Sequence, residues 1–151
     1  MIKIFATLSL FVIATTSFAQ VKEQPIKWRF NAVKKSAGNY TVSCTADLIA
    51  PWHIYSQFTP EGGPLPTRIS FSSNPLLTIS GGITEEGKQK TVHDKNFDVD
   101  VKYFSGQVSF VHAVKVKANV KTNLRGTVEY MICNDNKCLP PAKVNFDIIL
   151  Q

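Results

Sequence analysis

The sequence predicts an all-β fold, an immunoglobulin-like antiparallel sandwich that forms a single domain. Apolar and polar residues alternate with a period of two along most of the chain, and stretches with a helical period are missing. Turn-forming residues separate about eight short segments of this kind, which is a spacing typical of β-sandwiches. A total of 151 residues suits one domain. A closed barrel is the competing architecture, because periodicity alone does not distinguish it from a sandwich.

Each predicted strand is defined by its apolar positions. In chain order these are Ile26/Trp28/Phe30/Ala32, Tyr40/Val42/Cys44/Ala46/Leu48, Ile69/Phe71, Leu77/Ile79, Val99/Val101/Tyr103, Val108/Phe110/His112/Val114/Val116, Val128/Tyr130/Ile132 and Val144/Phe146/Ile148/Leu150. Glycines predict turns at Gly81-Gly82, Ser105-Gly106 and Arg125-Gly126. The remaining stretches, residues 50–66 and 84–98, are expected to be long connections, where functional residues are often found.

Residues 1–19 have the pattern of an export signal. Lys3 gives a positive start, Ile4 to Ile13 are mostly apolar, and Ser17-Phe18-Ala19 supplies small residues at the positions that signal peptidase recognises. This apolar stretch is shorter than the roughly 18 residues that indicate a membrane helix. We therefore expect a mature domain of residues 20–151 that does not span the membrane and is exported to a compartment where disulfides persist.

Composition argues against several classes of function. The net charge is +6, but the longest basic run is Lys34-Lys35, so nucleic-acid binding is not expected. Three cysteines are too few for a disulfide-dense scaffold or a four-cysteine zinc site. A Ser/His/Asp order, paired carboxylates and a glycine-rich phosphate loop are all missing from the sequence. We expect neither a cofactor nor a metal.

The cysteines divide into one structural residue and one pair. Cys44 lies on the apolar face of a strand and is expected in the core. Cys133 and Cys138 flank a polar loop of four residues between two strands, so their Cα atoms can reach the separation of about 5.5 Å that a disulfide needs. Counting by twos places Cys133 on the face opposite Val128 and Ile132. Its sulfur is therefore expected outside the core, near the rim.

The spacing of the pair leaves three interpretations open: a redox-active disulfide, a structural staple or a soft metal site. A loop this short gives a staple worth only about 2.2 kcal/mol. Prolines that follow Cys138 fix their own backbone angles and would hold it in a set orientation. The metal alternative is Cu(I), with the two cysteines, Met131 and His93 as ligands. The other histidines are expected in the core (His112) and in a loop (His53).

The run from Tyr130 to Pro141, with its Cys-x-Pro-Pro end, resembles the cysteine hairpin of the periplasmic N-terminal domain of DsbD, a thiol:disulfide interchange protein. Residues 52–56 are similar to the aromatic segment of that domain. Residues 93–97 resemble its cap loop, in which a phenylalanine covers the disulfide. The resemblance extends through the mature chain, with three departures: one residue fewer between the cysteines, fewer acidic residues in the cap, and no membrane domain or thioredoxin-like domain after residue 151. The transfer partner is therefore expected to be a separate protein, unless this chain has acquired another use.

The resemblance implies an electron relay. Cys138 matches the cysteine that forms mixed disulfides with partners, and Cys133 matches the one that resolves them. The donor would be a thioredoxin-like domain, and the acceptor a periplasmic disulfide isomerase or a cytochrome c maturation thioredoxin. The other implied site residues are the cap (Phe97, Asp94, Asn96) and the hairpin support (Tyr130, Pro140, Pro141). The alternative is an exported binding module in which the hairpin disulfide is purely structural.

Overall fold

The computed structural model describes residues 24–95, 97–117 and 120–151, and within them the chain is built of strands. The strands are β1 (Ile26–Ser36), β2 (Asn39–Leu48), β3 (His53–Tyr55), β4 (Arg68–Phe71), β5 (Leu77–Asp94), β6 (Val99–Val116), β7 (Thr122–Tyr130), β8 (Ile132–Cys133) and β9 (Ala142–Leu150). They form an antiparallel six-stranded sheet and a three-stranded sheet, as expected for an immunoglobulin-like sandwich. The predicted signal segment, residues 1–19, lies outside the described residues. No helix in the described part has the length and hydropathy to cross a membrane.

Strand β6 organises the larger sheet. Its residues 107–115 pair with β2, and its residues 103–105 pair with β3. Strand β5 pairs with the same residues of β6, so it lies along the edge of β6 opposite to β2 and β3. Strand β1 borders β2, and the two-residue β8 borders β3. The smaller sheet has the order β4-β7-β9.

The main core lies between the two sheets and contains the apolar positions that the alternation predicts. Among its most deeply buried members are Phe110, Val108, Leu124 and Leu150. His112 is also buried there, and its Nδ1 lies 3.1 Å from the backbone oxygen of Gly82. The prediction of a hydrogen-bonded core histidine is thus confirmed.

Three predicted turns and one predicted loop are wrong. Arg125-Gly126 lies inside β7, where both residues pair with β9. Gly81-Gly82 lies inside β5, where the pairing with β6 shifts register between Ser80 and Thr84. Gly106 lies inside β6 with a φ of 75°, a left-handed conformation that glycine adopts easily. These last two glycine sites interrupt or bend a strand without ending it. Most of the expected loop 84–98 is likewise strand, because β5 continues along β6 as far as Asp94.

The sequence pattern does not predict the two short strands β3 and β8 as separate elements. Strand β3 lies within the stretch that was expected to be a connection, residues 50–66. The expected single strand from Thr127 to Cys133 is divided at Met131, because Tyr130 pairs with β9 whereas Ile132 pairs with β3. The chain therefore crosses from the smaller sheet to the larger one just before Cys133.

Candidate functional site

The cysteine pair closes a tight antiparallel hairpin. Cys133 and Cys138 are joined by a disulfide, and they lie directly opposite each other as a bridge pair. The hydrogen bonds on either side run from Asn134 N to Lys137 O (2.9 Å) and from Leu139 N to Ile132 O (3.0 Å). The cysteines therefore occupy a non-hydrogen-bonded position, where opposing Cα atoms approach most closely. This explains a Cα separation of 4.0 Å, shorter than the expected 5.5 Å or so.

The loop between the cysteines is held by its own first residue. The Asn134 side-chain oxygen accepts hydrogen bonds from the backbone N–H groups of Asn136 and Lys137, each at 2.9 Å. Asparagine commonly stabilises turns in this way. The Lys137 ammonium lies 5.7 Å from the centre of the Trp52 ring, a cation–π distance. The loop thus has a defined shape although most of it is exposed.

The two cysteines of the disulfide differ sharply in exposure. Cys133 retains 2% of its accessible surface, whereas Cys138 is exposed. Thiol–disulfide exchange requires a thiolate to reach one sulfur of the bond. Only Cys138 meets that requirement without rearrangement of the hairpin.

Cys133 lies in a second, smaller apolar cluster on the face of the sheet that points away from the main core. Its buried members are Cys133, Tyr55 and Val101, and Met131 packs against them, whereas Ile132 belongs to the main core. The predicted face of Cys133 is therefore confirmed. Its expected position near the rim also fits, since β8 is an edge strand of the larger sheet, but the neighbours in this cluster bury Cys133 there.

A row of residues crosses the larger sheet at the level of the disulfide. Ser105 on β6 pairs with His53 on β3, His53 pairs with Cys133 on β8, and Cys133 pairs with Cys138. Opposing residues in a sheet point to the same face. The His53 side chain is thus next to Cys133. The expectation of a loop position for His53 is wrong, since it lies in β3.

Three polar side chains on this face are connected to one another. The Tyr55 hydroxyl donates a hydrogen bond to the Asp94 carboxylate (3.2 Å) and lies 3.4 Å from His53 Nε2. The His53 ring also packs on the Tyr103 ring, with centroids 4.6 Å apart. Burial lowers the pKa of His53, and the nearby carboxylates of Asp135 and Asp94 oppose that effect. Burial and the neighbouring Asp94 both raise the pKa of Tyr55.

The expected cap lies at the tip of the β5–β6 hairpin. Asp94 ends β5, and its backbone oxygen accepts a hydrogen bond of 2.7 Å from Asp98 N. His93 adds contacts at the base of the tip, with ring nitrogens 3.1 Å from Asp98 and 3.1 Å from Asp100. Asp94 is joined to the cysteine cluster through Tyr55. Phe97 is half-buried but is not a member of that cluster, and Asn96 lies outside the described residues.

The expected hairpin-support residues form one side of a groove next to Cys138. Tyr130 packs on Trp28 with ring centroids 5.3 Å apart. Pro140 and Pro141 line the same groove, which has a volume of about 730 Å³ and an apolar floor. Prolines offer no backbone donors and restrict their own φ angles. The segment after Cys138 is therefore stiff, and it lines this groove.

Comparison with known proteins identifies the family. Residues 19–149 match the family described as thiol:disulfide interchange protein DsbD, N-terminal. The chain belongs to this family. No curated protein sequence matches it significantly.

Solved structures similar to this DsbD N-terminal family member share its fold at low sequence identity. The N-terminal periplasmic domain of ScsB from Proteus mirabilis has a TM-score of 0.58 and 16% identity, with 88% of this chain and 49% of that chain covered. The chain therefore spans about half the length of that structure. The reduced DsbD N-terminal domain from Neisseria meningitidis has a TM-score of 0.52 and 14% identity, with 79% of this chain and 82% of that chain covered.

A third similar structure contains two proteins. It is the complex between the DsbD N-terminal and PilB N-terminal domains from Neisseria meningitidis, with a TM-score of 0.50 and 13% identity, and with 89% of this chain and 88% of that chain covered. At these identities the likeness shows the fold, and the family match shows the relationship.

The residues proposed for a copper site are not assembled. Cys133 and Cys138 are bonded to each other, and His93 hydrogen-bonds to two aspartates of the cap. In residues 24–95, 97–117 and 120–151, His, Cys, Asp and Glu form no group of three or more that could hold a metal ion.

Sequence reasoning did not assign His53 or Tyr55 to this site, although both lie in the segment 52–56 that resembles the family's aromatic segment. The pattern Trp52-His53-Ile54-Tyr55 contains a usable signal, because its alternation places His53 and Tyr55 on the face opposite Ile54. Ile54 is indeed in the main core. What the pattern lacks is any indication that β3 pairs with β8, and that pairing is what places His53 beside Cys133.

Proposed function

We propose that the chain is a periplasmic thiol–disulfide exchange module that uses Cys133 and Cys138 as a redox pair. The observation that supports this most directly is the unequal exposure of one disulfide, with an accessible Cys138 and a buried Cys133. A partner can attack the exposed sulfur, and the buried one remains close enough to restore the bond. A purely structural staple has no need of an accessible sulfur.

The exchange transfers two electrons from the donor to the Cys133–Cys138 pair, and then two electrons from that pair to the acceptor. A donor thiolate attacks Cys138, the bond to Cys133 breaks, and Cys133 leaves with the electron pair and gains a proton. The second donor thiol then attacks the donor's own sulfur, which releases Cys138 and leaves the donor oxidised. In the onward step, the Cys138 thiolate attacks an acceptor disulfide. Cys133 resolves that mixed disulfide, so the acceptor leaves reduced and the Cys133–Cys138 bond is restored.

The donor in this proposal is a thioredoxin-like domain, and the acceptor is a periplasmic disulfide isomerase or a cytochrome c maturation thioredoxin. Membership of the DsbD N-terminal family supports the type of chemistry. The complex of a DsbD N-terminal domain with a PilB N-terminal domain supports docking of a second protein domain on this fold. Pro140 and Pro141 would keep Cys138 at a fixed angle to such a partner.

A redox titration tests the proposal. The chain is equilibrated in dithiol buffers of known potential, and the fraction of reduced pair is measured by mass after alkylation. We expect a midpoint less negative than about −300 mV, the level below which structural disulfides lie, and reduction by a thioredoxin-like protein. A Cys44→Ser variant is the matched control and should titrate identically. A midpoint below that level, with no reduction by any thioredoxin-like protein, would favour the structural alternative.

The cap is the second part of the proposal: although Cys138 as a residue is exposed, Phe97 limits the approach of reagents to the disulfide until a partner displaces it. It is an apolar, half-buried residue at a hairpin tip that is otherwise polar and is joined to the cysteine cluster through Asp94 and Tyr55. In a Phe97→Ala variant, we expect severalfold faster alkylation of reduced Cys138 by iodoacetamide. Phe58→Ala, which alters an exposed loop phenylalanine, is the control. Equal alkylation rates in wild type and Phe97→Ala would remove the cap role.

A further inference from the structure

His53 is the titratable residue that the sheet register places opposite Cys133. The two are Cα partners in the β3–β8 pairing, and they face the same side of the sheet. The Cβ atoms of such partners lie about 4.5–5.5 Å apart, within reach of an imidazole ring. Cys133 is bonded on its other side to Cys138. When that bond opens, the Cys133 thiol has His53 as its neighbour on the same sheet face.

The hydrogen bonds around His53 determine which ring nitrogen can accept a proton. Tyr55 has one hydroxyl hydrogen, and it donates that hydrogen to the Asp94 carboxylate. The contact of 3.4 Å between Tyr55 Oη and His53 Nε2 is therefore made with the histidine as donor. In the neutral ring, a hydrogen on Nε2 leaves Nδ1 with an unshared electron pair. His53 is thus held in the tautomer that keeps Nδ1 available as a base.

The surroundings of His53 favour its neutral form. Burial lowers the pKa of His53, with Lys90 adding to that effect and two carboxylates opposing it. The titratable and charged groups around the ring come from β3, β5, β6, β8 and the cysteine loop, and they are Tyr55, Lys90, Asp94, Tyr103, Cys133 and Asp135. A neutral imidazole near pH 7 can accept a proton, whereas an imidazolium cannot.

A buried resolving cysteine needs such a base. The thiolate is the nucleophile in disulfide exchange, and apolar surroundings disfavour it. Cys44 illustrates the effect in this chain, since burial raises the pKa of its thiol to about 12. Cys133 is as deeply buried as Cys44. Unlike Cys44, it has a histidine as a direct cross-strand partner.

We propose that His53 is the proton acceptor for Cys133 in the resolving step. With a partner bound to Cys138 through a mixed disulfide, Nδ1 of His53 takes the Cys133 proton, and the thiolate attacks the Cys138 sulfur. The Cys133–Cys138 bond forms, the partner's bond to Cys138 breaks, and the partner leaves as a thiolate that gains the proton. The biological meaning of this step rests on the proposed function, but the chemistry can be tested without a protein partner.

The test uses a small aromatic disulfide, dithiobis-nitrobenzoate, with the reduced chain in a Cys44→Ala background. Attack by Cys138 releases one coloured thiolate, and resolution by Cys133 releases a second one, so stopped-flow absorbance resolves the two steps. In His53→Gln at pH 7, we expect the second step to slow by about 100-fold, a typical effect of losing a general base. The first step should be unchanged. Lys115→Gln, which alters an exposed residue at the far end of β6, is the control and should alter neither step.

The pH profile distinguishes a base from a structural role. In alkaline buffer, where hydroxide removes the thiol proton, the resolving rates of wild type and His53→Gln should converge. Tyr55→Phe, which loses the hydroxyl that orients the ring, should show a smaller slowing that also disappears at high pH. The proposal is overturned if His53→Gln resolves at the wild-type rate, or if both steps slow by one factor at every pH. A folded His53→Gln with a normal first step rules out misfolding as the cause.

The outcomes of this test and of the redox titration are separable. A second step that depends on His53 can coexist with a pair that no thioredoxin-like protein reduces, which would defeat the proposed function alone. Conversely, normal reduction by a thioredoxin-like protein together with a second step indifferent to His53 would defeat only this inference.

Discussion

Cys44 and Cys133 are equally buried but have different surroundings. They retain 1% and 2% of their accessible surface, respectively. Cys44 lies between its cross-strand partners Phe30 and Phe110, sealed in the main core. Cys133 lies between His53 and Cys138, in a cluster that has three buried members within the described part of the chain. Depth of burial therefore does not distinguish the core thiol from the disulfide-bonded cysteine in this fold; the residues on either side do.

The position in the sheet explains the difference. Strand β2 is flanked by β1 and β6 along nearly its whole length, so Cys44 is enclosed by well-ordered neighbours. Strand β8 has two residues and sits at the end of the sheet, beyond β3. There a hairpin can project into solvent without disturbing the main core. The fold thus separates the part that stabilises the domain from the part that is available for chemistry.

Truncation in the main core should have the largest effect on stability. Phe110 packs over Cys44 and is almost fully buried. We expect Phe110→Ala to lower the free energy of unfolding by about 3–5 kcal/mol, the usual cost of a cavity of that size. Urea titration followed by circular dichroism measures the loss. The potential of the cysteine pair in the folded fraction should not change. A shift in that potential would show that the two regions are coupled.

The next largest effect concerns the alkylation rates of Cys138 and Cys44. In the reduced chain at pH 8, we expect iodoacetamide to modify Cys138 at least about 100-fold faster than Cys44, because burial raises the pKa of the Cys44 thiol to about 12. Mass spectrometry of peptides at successive times gives both rates. In urea the difference should disappear, which is the control. Comparable rates in the folded chain would mean that the main core opens readily.

Opening the disulfide should cost less stability than a core truncation. A loop of this length gives about 2.2 kcal/mol in the chain-entropy treatment, and the stiff prolines after Cys138 already restrict the segment. We therefore expect the free energy of unfolding, measured by urea titration, to be at most about 2 kcal/mol higher for the oxidised chain than for the reduced chain. The Cys133→Ala/Cys138→Ala double variant should match the reduced chain. A difference of 4 kcal/mol or more would mark the bond as a major structural element.

The same contrast explains what the sequence could predict. Strands that line the main core have strict alternation, so β1, β2 and β9 were recognisable, and Cys44 was assigned correctly. The spacing of Cys133 and Cys138 was enough to predict the disulfide as one possibility, and the family resemblance added the cap. These features are local, or they repeat along one strand. Local patterns are the ones that a sequence displays directly.

The missed features depend on pairings between distant segments. Most positions of β5 beyond Gly81 are exposed, so that its sequence resembles a polar loop, and it is a strand because β6 provides a partner along its whole length. His53 belongs to a three-residue strand that is too short for a period to be seen. Its place beside Cys133 requires the chain to change sheets at Met131. Such long-range pairings override local propensity.

The smallest expected effect concerns the two histidines at this end of the molecule. Hydrogen bonds to Asp100 and Asp98 raise the pKa of His93, whereas burial lowers the pKa of His53. Histidine ring-proton shifts in NMR should therefore give two midpoints, one on each side of the ordinary value of about 6.5. His53→Gln and His93→Gln assign the signals. Coincident midpoints would contradict the separation of a buried site from an exposed cap.

The sign of each contribution to stability follows from its direction of shift. The His93 contribution is fully present below pH 6.5 or so and is lost as the pH rises through its raised pKa. The His53 contribution is present above that pH and is lost as the pH falls through its lowered pKa. On acidification from neutral pH, the hydrogen bonds of His93 to the cap should therefore strengthen, whereas the local stability around Cys133 should fall. Hydrogen exchange at Asp98 and Ile54 amides, measured at pH 5 and pH 8 or so, should move in opposite directions after correction for the intrinsic rates.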